Sequence, residues 1–408
     1  MTQERRDAAR AARGAPASLP HEVCFAEALR VWARIGLLGF GGPAGQVALM
    51  HRELVERRHW IDEARFLHAL SYCTLLPGPE AQQLAIYIGW LLHRSAGGLA
   101  AGLLFVLPGA LAIGVLSALY AGYQELPLVA ALFNGLKAAV LAVVVEAVLR
   151  IGRRALRSSL QRGIAALAFV AIFFLELPFP WIVLGAGLCG WFADRIAPAA
   201  FPETAAPSQG FAVESVIERM AASGRLAHTR ATPARTMRIT ALWAAVWVLP
   251  LLALVAIPGL SPVFAEQAWF FSRAAVVTFG GAYAVLAYVA QQAVETYGWL
   301  APGEMLDGLG LAETTPGPLI LVLQFVGFLG AYRDPGGLPP LAAGALGSAV
   351  TLWATFAPCF LWIFAGAPYV EALRSNRPLR AALSSITAAV VGVLLNLSLW
   401  FGLHVLFH

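Results

Sequence analysis

Four short motifs hold the residue types that could bind an anion without a metal or a cofactor: Phe40-Gly41-Gly42-Pro43, Pro77-Gly78-Pro79-Glu80, Phe279-Gly280-Gly281 and Thr315-Pro316-Gly317-Pro318. Paired glycines open backbone conformations closed to other residues, and proline removes an amide donor and stops a helix that runs into it. Each motif therefore predicts a helix break, and after the PGP motifs a new segment begins at Pro79 or Pro318, where proline suits a first helical turn. The N–H groups freed at such a start carry positive partial charge and favour anions. Arg34 and Arg273 each stand six residues before an FGG motif. A guanidinium there could converge with the freed amides on a tetrahedral oxyanion, two of whose oxygens fit its planar donors. The competing reading of either arginine is a side chain that snorkels to the membrane interface. Glu80 and Gln83 follow the first PGP motif, and Thr315 opens the second. A carboxylate at that depth serves as a proton carrier, an arginine partner or a structural cap, and the sequence leaves the three open. Lys137 is a candidate second anion contact, whereas Gln324 reads as an interhelical hydrogen-bond partner.

Other chemistries find no support. The eight histidines show no HExxH or related metal spacing, and Cys24, Cys73, Cys189 and Cys359 lie scattered without a CxxC pair. Neither a metal centre nor a disulfide framework is indicated. No GxGxxG follows a strand, and neither a Walker loop nor a nucleophile elbow occurs. The sequence argues for a protein that is not an enzyme and holds no cofactor. Without an ATP-binding domain, active transport would draw on an ion gradient, the membrane potential or a partner chain.

The motifs are set in a chain of 408 residues, 59% hydrophobic and 12% charged, against about 25% charged in an average soluble protein. With a mean hydropathy of +0.71 and many apolar runs long enough for a hydrocarbon layer of about 30 Å, it reads as an all-α polytopic membrane protein embedded in a lipid bilayer. Crossings are expected at 25–42, 66–92, 98–121, 126–149, 164–177, 181–193, 239–260, 268–290, 305–331, 341–365 and 381–407. That makes about eleven transmembrane helices, or about ten to thirteen according to how the PGP segments dip. The net charge of +5 sits in short loops between these runs, where arginine fixes orientation, so nucleic acid is not an expected partner. The first twenty residues carry arginines but no apolar core, which does not read as a signal peptide. A cytoplasmic N-terminus then places Arg94, the arginines from Arg150 to Arg162 and Arg374 to Arg380 inside, with the arginine-free turn 122–125 outside. The domains follow as a cytoplasmic tail 1–24, a first transporter repeat 25–150, a helical hairpin and cytoplasmic linker 151–238, a connecting transmembrane helix 239–264 and a second repeat 265–408. A monomer and a homodimer fit the sequence equally.

The halves repeat. Phe40-Gly41-Gly42 returns as Phe279-Gly280-Gly281, Arg34 as Arg273, Trp60 as Trp299, and Pro77-Gly78-Pro79 as Pro316-Gly317-Pro318, all at a separation of 239 residues. The separation becomes 250 beyond the loop 333–340, pairing Pro108 with Pro358. By the count of crossings the first FGG helix runs inside to outside and the second outside to inside. The expected architecture is therefore two inverted-topology repeats with broken or re-entrant helices. Such repeats mark secondary transporters that alternate access to a midplane site; a channel, or a duplication serving stability alone, is the rival reading.

FGGPAGQVALMHRELVERRHWIDEARFLHAL and LLPGPEAQQLAIYIGW in the first half, with TFGG and ETTPGPLILVLQFVGF in the second, closely resemble the chromate ion transporter family in its long, two-domain form. The resemblance covers 25–149 and 268–403. It implies a bacterial cytoplasmic (inner) membrane protein that exports chromate, a sulfate-like divalent tetrahedral oxyanion, and so confers chromate resistance. A sulfate or other oxyanion transporter, or an anion channel of the same fold, is the alternative. The resemblance also carries the family's motif positions onto Phe40, Gly41, Gly42, Pro43, Pro77, Gly78, Pro79 and Glu80, and onto Phe279, Gly280, Gly281, Pro316, Gly317 and Pro318. Ala282 stands where the first half has Pro43. Uniport and coupling to a proton both stay open. Cysteines introduced at Gly42 and Gly281 are expected to react with impermeant thiol reagents from opposite sides of the membrane; labelling from one side only would refute the inversion.

Overall fold

Helices form wherever the apolar runs go uninterrupted and stop where the glycine and proline motifs stand. The computed structural model describes residues 23–406 apart from 125, 128–130, 132–134, 136–141, 143, 147, 154, 176, 197–214, 230, 280–281, 302 and 370–376. Among the described residues every regular element is helical. Helix α1 (Phe25–Leu38) has 14 residues, about 21 Å at 1.5 Å per residue and short of a crossing. Helix α2 (Gly42–His51) begins at the FGG motif with Pro43 in its first turn and continues as a π-helical turn over Arg52–Arg57. Helix α3 (Glu63–Cys73), whose first turn is capped by the Asp62 carboxylate, leads to the first PGP motif. Helix α4 (Glu80–Tyr123) leaves that motif and folds back at His93 and Arg94, where Arg94 has φ +54°. Its two arms, 80–92 and 95–123, pack so closely that the Gly89 and Gly97 backbones face each other with no room for a Cβ.

The second half repeats this order. Helices α9 (Val263–Val277) and α10 (Ala282–Gln291) flank the FGG motif, and a π-helical turn again follows, over Gln292–Thr296. Helix α11 (Glu304–Thr314), the PGP motif, a 3-10 turn (Leu319–Leu321) and α12 (Val322–Arg333) come next. Helix α13 (Pro340–Gly366) then packs on α12 with Gly347 against the Gly327 carbonyl, as Gly97 packs on Gly89. Positive φ recurs too, at His59 (50°) and Gly298 (64°), and at Gly78 (118°) and Gly317 (103°).

The first FGG motif and both PGP motifs are tips of hairpins whose limbs start and finish at one end of the molecule, and α9 and α10 are the corresponding limbs on either side of the second FGG motif. In the first repeat, His93 Nε2 lies 2.9 Å from the Val23 carbonyl just before α1. Helix α1 then runs beside the second arm of α4, Gly36 touching the Leu104 backbone and Pro108. In the second repeat, Arg333 at the end of α12 donates to the Trp299 carbonyl at 2.9 Å and to Glu304 at the start of α11, and Ser261 before α9 donates to Asp334 at 2.7 Å. The second arm of α4 and its counterpart α13 lie antiparallel, with Gly98 on Phe364 and Gly102 on Phe360. At the far end of that arm, the Tyr120 hydroxyl donates to Asp307 on α11 at 2.8 Å.

Around this pair of repeats, α5 (Ser159–Phe173) and α6 (Phe179–Ile196) pack on α14 (Arg377–Leu406), with Gly392 on the Ala165 carbonyl and Gly190 on the Ala381 carbonyl. Arg377 pairs with Asp194 at 3.0 Å. Helix α7 (Val216–Ala222) lies in the linker, and α8 (Pro233–Val255) lays Trp243 flat on Phe360 of α13 at 5.3 Å.

The expected crossings need correction at four places. Stretches 25–42, 66–92, 268–290 and 305–331 are not single helices but are interrupted at a motif, as the broken-helix expectation has it, and 43–57, which falls between two expected crossings, is helical. Gly41, Gly42, Gly78 and Gly317 in left-handed conformations, with prolines that lack an N–H, leave no continuous ladder at three of these places. Among the described residues four helices have the length and apolarity to cross a membrane, Glu80–Tyr123, Pro233–Val255, Pro340–Tyr369 and Arg377–Leu399, with shorter apolar helices at Ser159–Phe173 and Leu319–Arg333. Gly97→Val and Gly347→Val should each destabilise the protein by about 1–3 kcal/mol through overpacking, read as a lower melting midpoint in detergent. Gly122→Val, at a position with nothing within 4 Å of a built Cβ, should leave the midpoint unchanged.

Candidate functional site

The tips of the hairpins meet across the repeats. Gly317 of the second PGP motif donates its N–H to the Gly39 carbonyl beside the first FGG motif at 3.0 Å. Gly78 of the first PGP motif donates to the Thr278 carbonyl beside the second FGG motif at 2.8 Å. These two bonds are the same bond under the 239-residue repeat, so the contact is reciprocal, as a two-fold relation between the halves produces. The crossing helices take part in the same way. The Gly109 Cα would carry a Cβ into the Pro316 carbonyl, and the Cys359 thiol lies 3.0 Å from where a Cβ on Gly78 would stand. Gly78 and Gly317 thus need glycine twice, for positive φ and for close approach.

Side-chain amides close the tips. Gln46, fully buried on α2, donates from Nε2 to the Gly39 carbonyl at 3.2 Å and to the Gly317 carbonyl at 2.5 Å. Gln83 donates to the Pro77 carbonyl at 2.7 Å, and Gln324 to the Ala110 carbonyl at 2.9 Å. Gln324 is the interhelical partner that its sequence position indicated. Gln46 carried no such signal, because it stands outside the motifs and Val285 occupies its place in the second repeat.

The helix starts at the tips lack side-chain caps. Gly41 (φ 82°) precedes α2, Pro79 precedes α4 and Pro318 precedes the 3-10 turn, and none supplies a capping hydrogen bond. Their first N–H groups remain donors to whatever occupies the tips. Phe40 is 48% exposed, and nothing stands within 4 Å of a Cβ built on Gly41 or Gly42. A cavity of about 850 Å³ opens on this side, lined by Pro43 and Glu80 and by Thr74, His51, Arg52 and Arg150. It joins the α2 start and the first PGP tip to the end of the molecule that carries Arg150. Glu80 is half-buried at its wall.

The structure gathers Pro77, Gly78, Pro79, Gln83, Thr315, Pro316, Gly317 and Pro318 into buried or half-buried tips, with Phe279 half-buried beside Thr278. Phe40, Gly41, Gly42 and Pro43 form the open turn. Gly280, Gly281 and Lys137 lie outside the described residues. Arg34 and Arg273 are both exposed on the outer faces of α1 and α9, and neither hydrogen-bonds a motif residue among the described residues. The Arg273 guanidinium instead stands 5.8 Å over the Trp269 ring.

The family model described as chromate transporter matches residues 26–191 and 265–408. The chain is 31% identical over 383 residues to a chromate transport protein of Pseudomonas aeruginosa, covering 92% of this chain and 81% of that protein. It is 29% identical over 365 residues to a chromate transport protein of Cupriavidus metallidurans, covering 88% and 78%. A probable chromate transport protein of Synechococcus elongatus is 28% identical over 362 residues, covering 88% and 80%. No solved structure matches the chain.

Gln46→Leu leaves the Gly317 carbonyl without its side-chain donor and should cost about 1–3 kcal/mol, seen as a lower melting midpoint in detergent. A midpoint equal to that of the unaltered protein would show that the amide bridge contributes nothing to joining the repeats.

Proposed function

The chain belongs to the chromate transporter family, and on that premise we propose that it exports chromate across the cytoplasmic membrane by alternating access, conferring chromate resistance. The observation that carries the reading is the reciprocal meeting of FGG and PGP tips, whose uncapped helix starts offer N–H donors where the halves join. Chromate, like sulfate, is a tetrahedral dianion, and oriented backbone donors recognise its charge and shape without a cofactor.

The repeats are read as inverted about an axis in the membrane plane, which the antiparallel packing of 95–123 on α13 and the reciprocal tip contacts support. Arginine placement puts the Arg150 end in the cytoplasm. The cavity ending at Pro43 and Glu80 then belongs to an inward-facing arrangement, in which chromate enters past Arg52 and Arg150 and reaches the α2 start. Rocking one repeat against the other closes this path and opens the equivalent one beside Thr278, Phe279 and Thr315 to Pro318. Glu80 is the group through which a proton couples, since its charge must be neutralised before a dianion settles beside it. An inside-negative potential favours export: about 2.3 kcal/mol per charge per 100 mV gives about 4.6 kcal/mol for a dianion leaving at 100 mV.

Inverted membrane vesicles bearing the protein should accumulate radiolabelled chromate, more when energised, with partial competition from excess sulfate. Sulfate flux without chromate flux would move the substrate to sulfate. Rapid, gradient-following flux without accumulation would identify a channel, and no flux of either anion would overturn the transporter reading.

A further inference from the structure

The two repeats fasten the bases of their hairpins by different means. In the second repeat Arg333 is the hub, beside the Ser261 hydroxyl on Asp334. Arg333 binds the Trp299 carbonyl at 2.9 Å and both oxygens of Glu304 at 2.7 and 2.5 Å, tying the end of α12 to the return limb of the FGG hairpin and to the start of α11. At the same positions the first repeat has Arg94, Trp60 and Arg65. Two arginines cannot form that pair, and Arg94 is committed to the tight turn of α4.

The linker occupies the vacant role. The Trp60 carbonyl accepts the Ile217 N–H at 3.1 Å, and the His59 carbonyl accepts the Val216 N–H at 3.0 Å. Trp60 is the repeat equivalent of Trp299, so the same carbonyl is held in both repeats, by a guanidinium in one and by a linker amide in the other. Further along, His228 Nε2 lies 3.0 Å from the Trp90 carbonyl on the first arm of α4, with its ring edge-on to the Trp90 indole at 5.0 Å. Burial pushes the His228 imidazole below its usual value, so a neutral ring with its proton on Nε2 makes this bond. Ser215, Val216 and Ile217 are buried, and a Ser215–Glu218 capping box fixes the start of α7. Arg235 donates to the His228 carbonyl from the first turn of α8.

We propose that 215–229 is a strap that clamps the bases of the two first-repeat hairpins, with Val216, Ile217 and His228 as positioning residues for transport. The proposal rests on the reading of the hairpin tips as the chromate site. The tips stand about 20 Å from their bases at 1.5 Å per residue. A splay of about 5° at the base therefore displaces a tip by about 2 Å, enough to break the bonds that set its geometry.

Two variants loosen the strap without attacking the site. Val216→Pro removes the donor to His59 at the first position of α7, where proline is tolerated, and Ser215 already has the extended ψ of 161° that precedes proline. His228→Leu removes the donor to Trp90, whereas His228→Gln keeps an N–H there. In inverted vesicles, the first two should raise the KM for chromate at least about fivefold with kcat changed less than about twofold, as misplacement of a binding group does. His228→Gln should stay near the unaltered protein. Amide hydrogen exchange without any anion should quicken at 39–46 and 76–83, and at Gly317, whose N–H the Gly39 carbonyl holds, and stay unchanged along α12 at 322–333. Unchanged KM and unchanged exchange in both loosened variants would overturn the strap, as would equal defects in His228→Gln and His228→Leu. Absence of chromate flux in the unaltered protein would count against the function instead, because the exchange measurement reads the strap without a substrate.

Discussion

A polar backbone group inside a membrane must find its partner within the protein, and this chain interrupts its helices at four motifs, each of which frees such groups. The solution is to let each repeat satisfy the other. Gly317 N–H goes to the Gly39 carbonyl and Gly78 N–H to the Thr278 carbonyl, so the break in one half is completed by the tip of the other. The rest of the architecture follows from that exchange. The tips need glycine at positive φ, the crossing helices need Gly109 and Gly102 where they come close, and the hairpin bases must be fixed so that tips about 20 Å away keep register.

Much of this was legible in residue types. The motifs announce breaks because glycine and proline act locally, and the repeat announces equivalent positions in both halves. What escaped were consequences of distance. The return limb 42–58 reads as polar because it holds Arg52, Glu53, Glu56, Arg57 and Arg58, yet Glu53 is buried with Arg57 at 2.6 Å and Arg58 also on its carboxylate. A limb with its charges paired among themselves can fold back at the end of a hairpin, which a search for uninterrupted apolar runs cannot register. Arg34 and Arg273 were drawn to the FGG motifs by spacing along the chain, but a helix face decides where a side chain goes, and both stand on exposed faces.

The halves share a fold and differ where function would make them differ. Glu80 faces Leu319 in the repeat comparison, Gln46 faces Val285, Pro43 faces Ala282, and the Arg333–Glu304 clamp faces Arg94 and Arg65. A strictly symmetric pair would present the same site to both sides of the membrane. Here the first repeat carries the acid, the glutamine bridge and the linker contacts, and the cavity of about 850 Å³ opens beside it. The two halves therefore offer different surroundings to whatever occupies the tips, an acid and an amide bridge on one side and aliphatic side chains at the equivalent positions on the other.

The central claim is that the four motif turns together hold the anion. Amide hydrogen exchange of the purified protein, with and without chromate, tests it most directly, because the turns are separate in sequence and each gives its own peptides. The account predicts that chromate slows exchange at 39–46, 77–83, 277–284 and 315–321 together. Protection confined to a surface loop, or to one turn while the other three exchange as before, would contradict it.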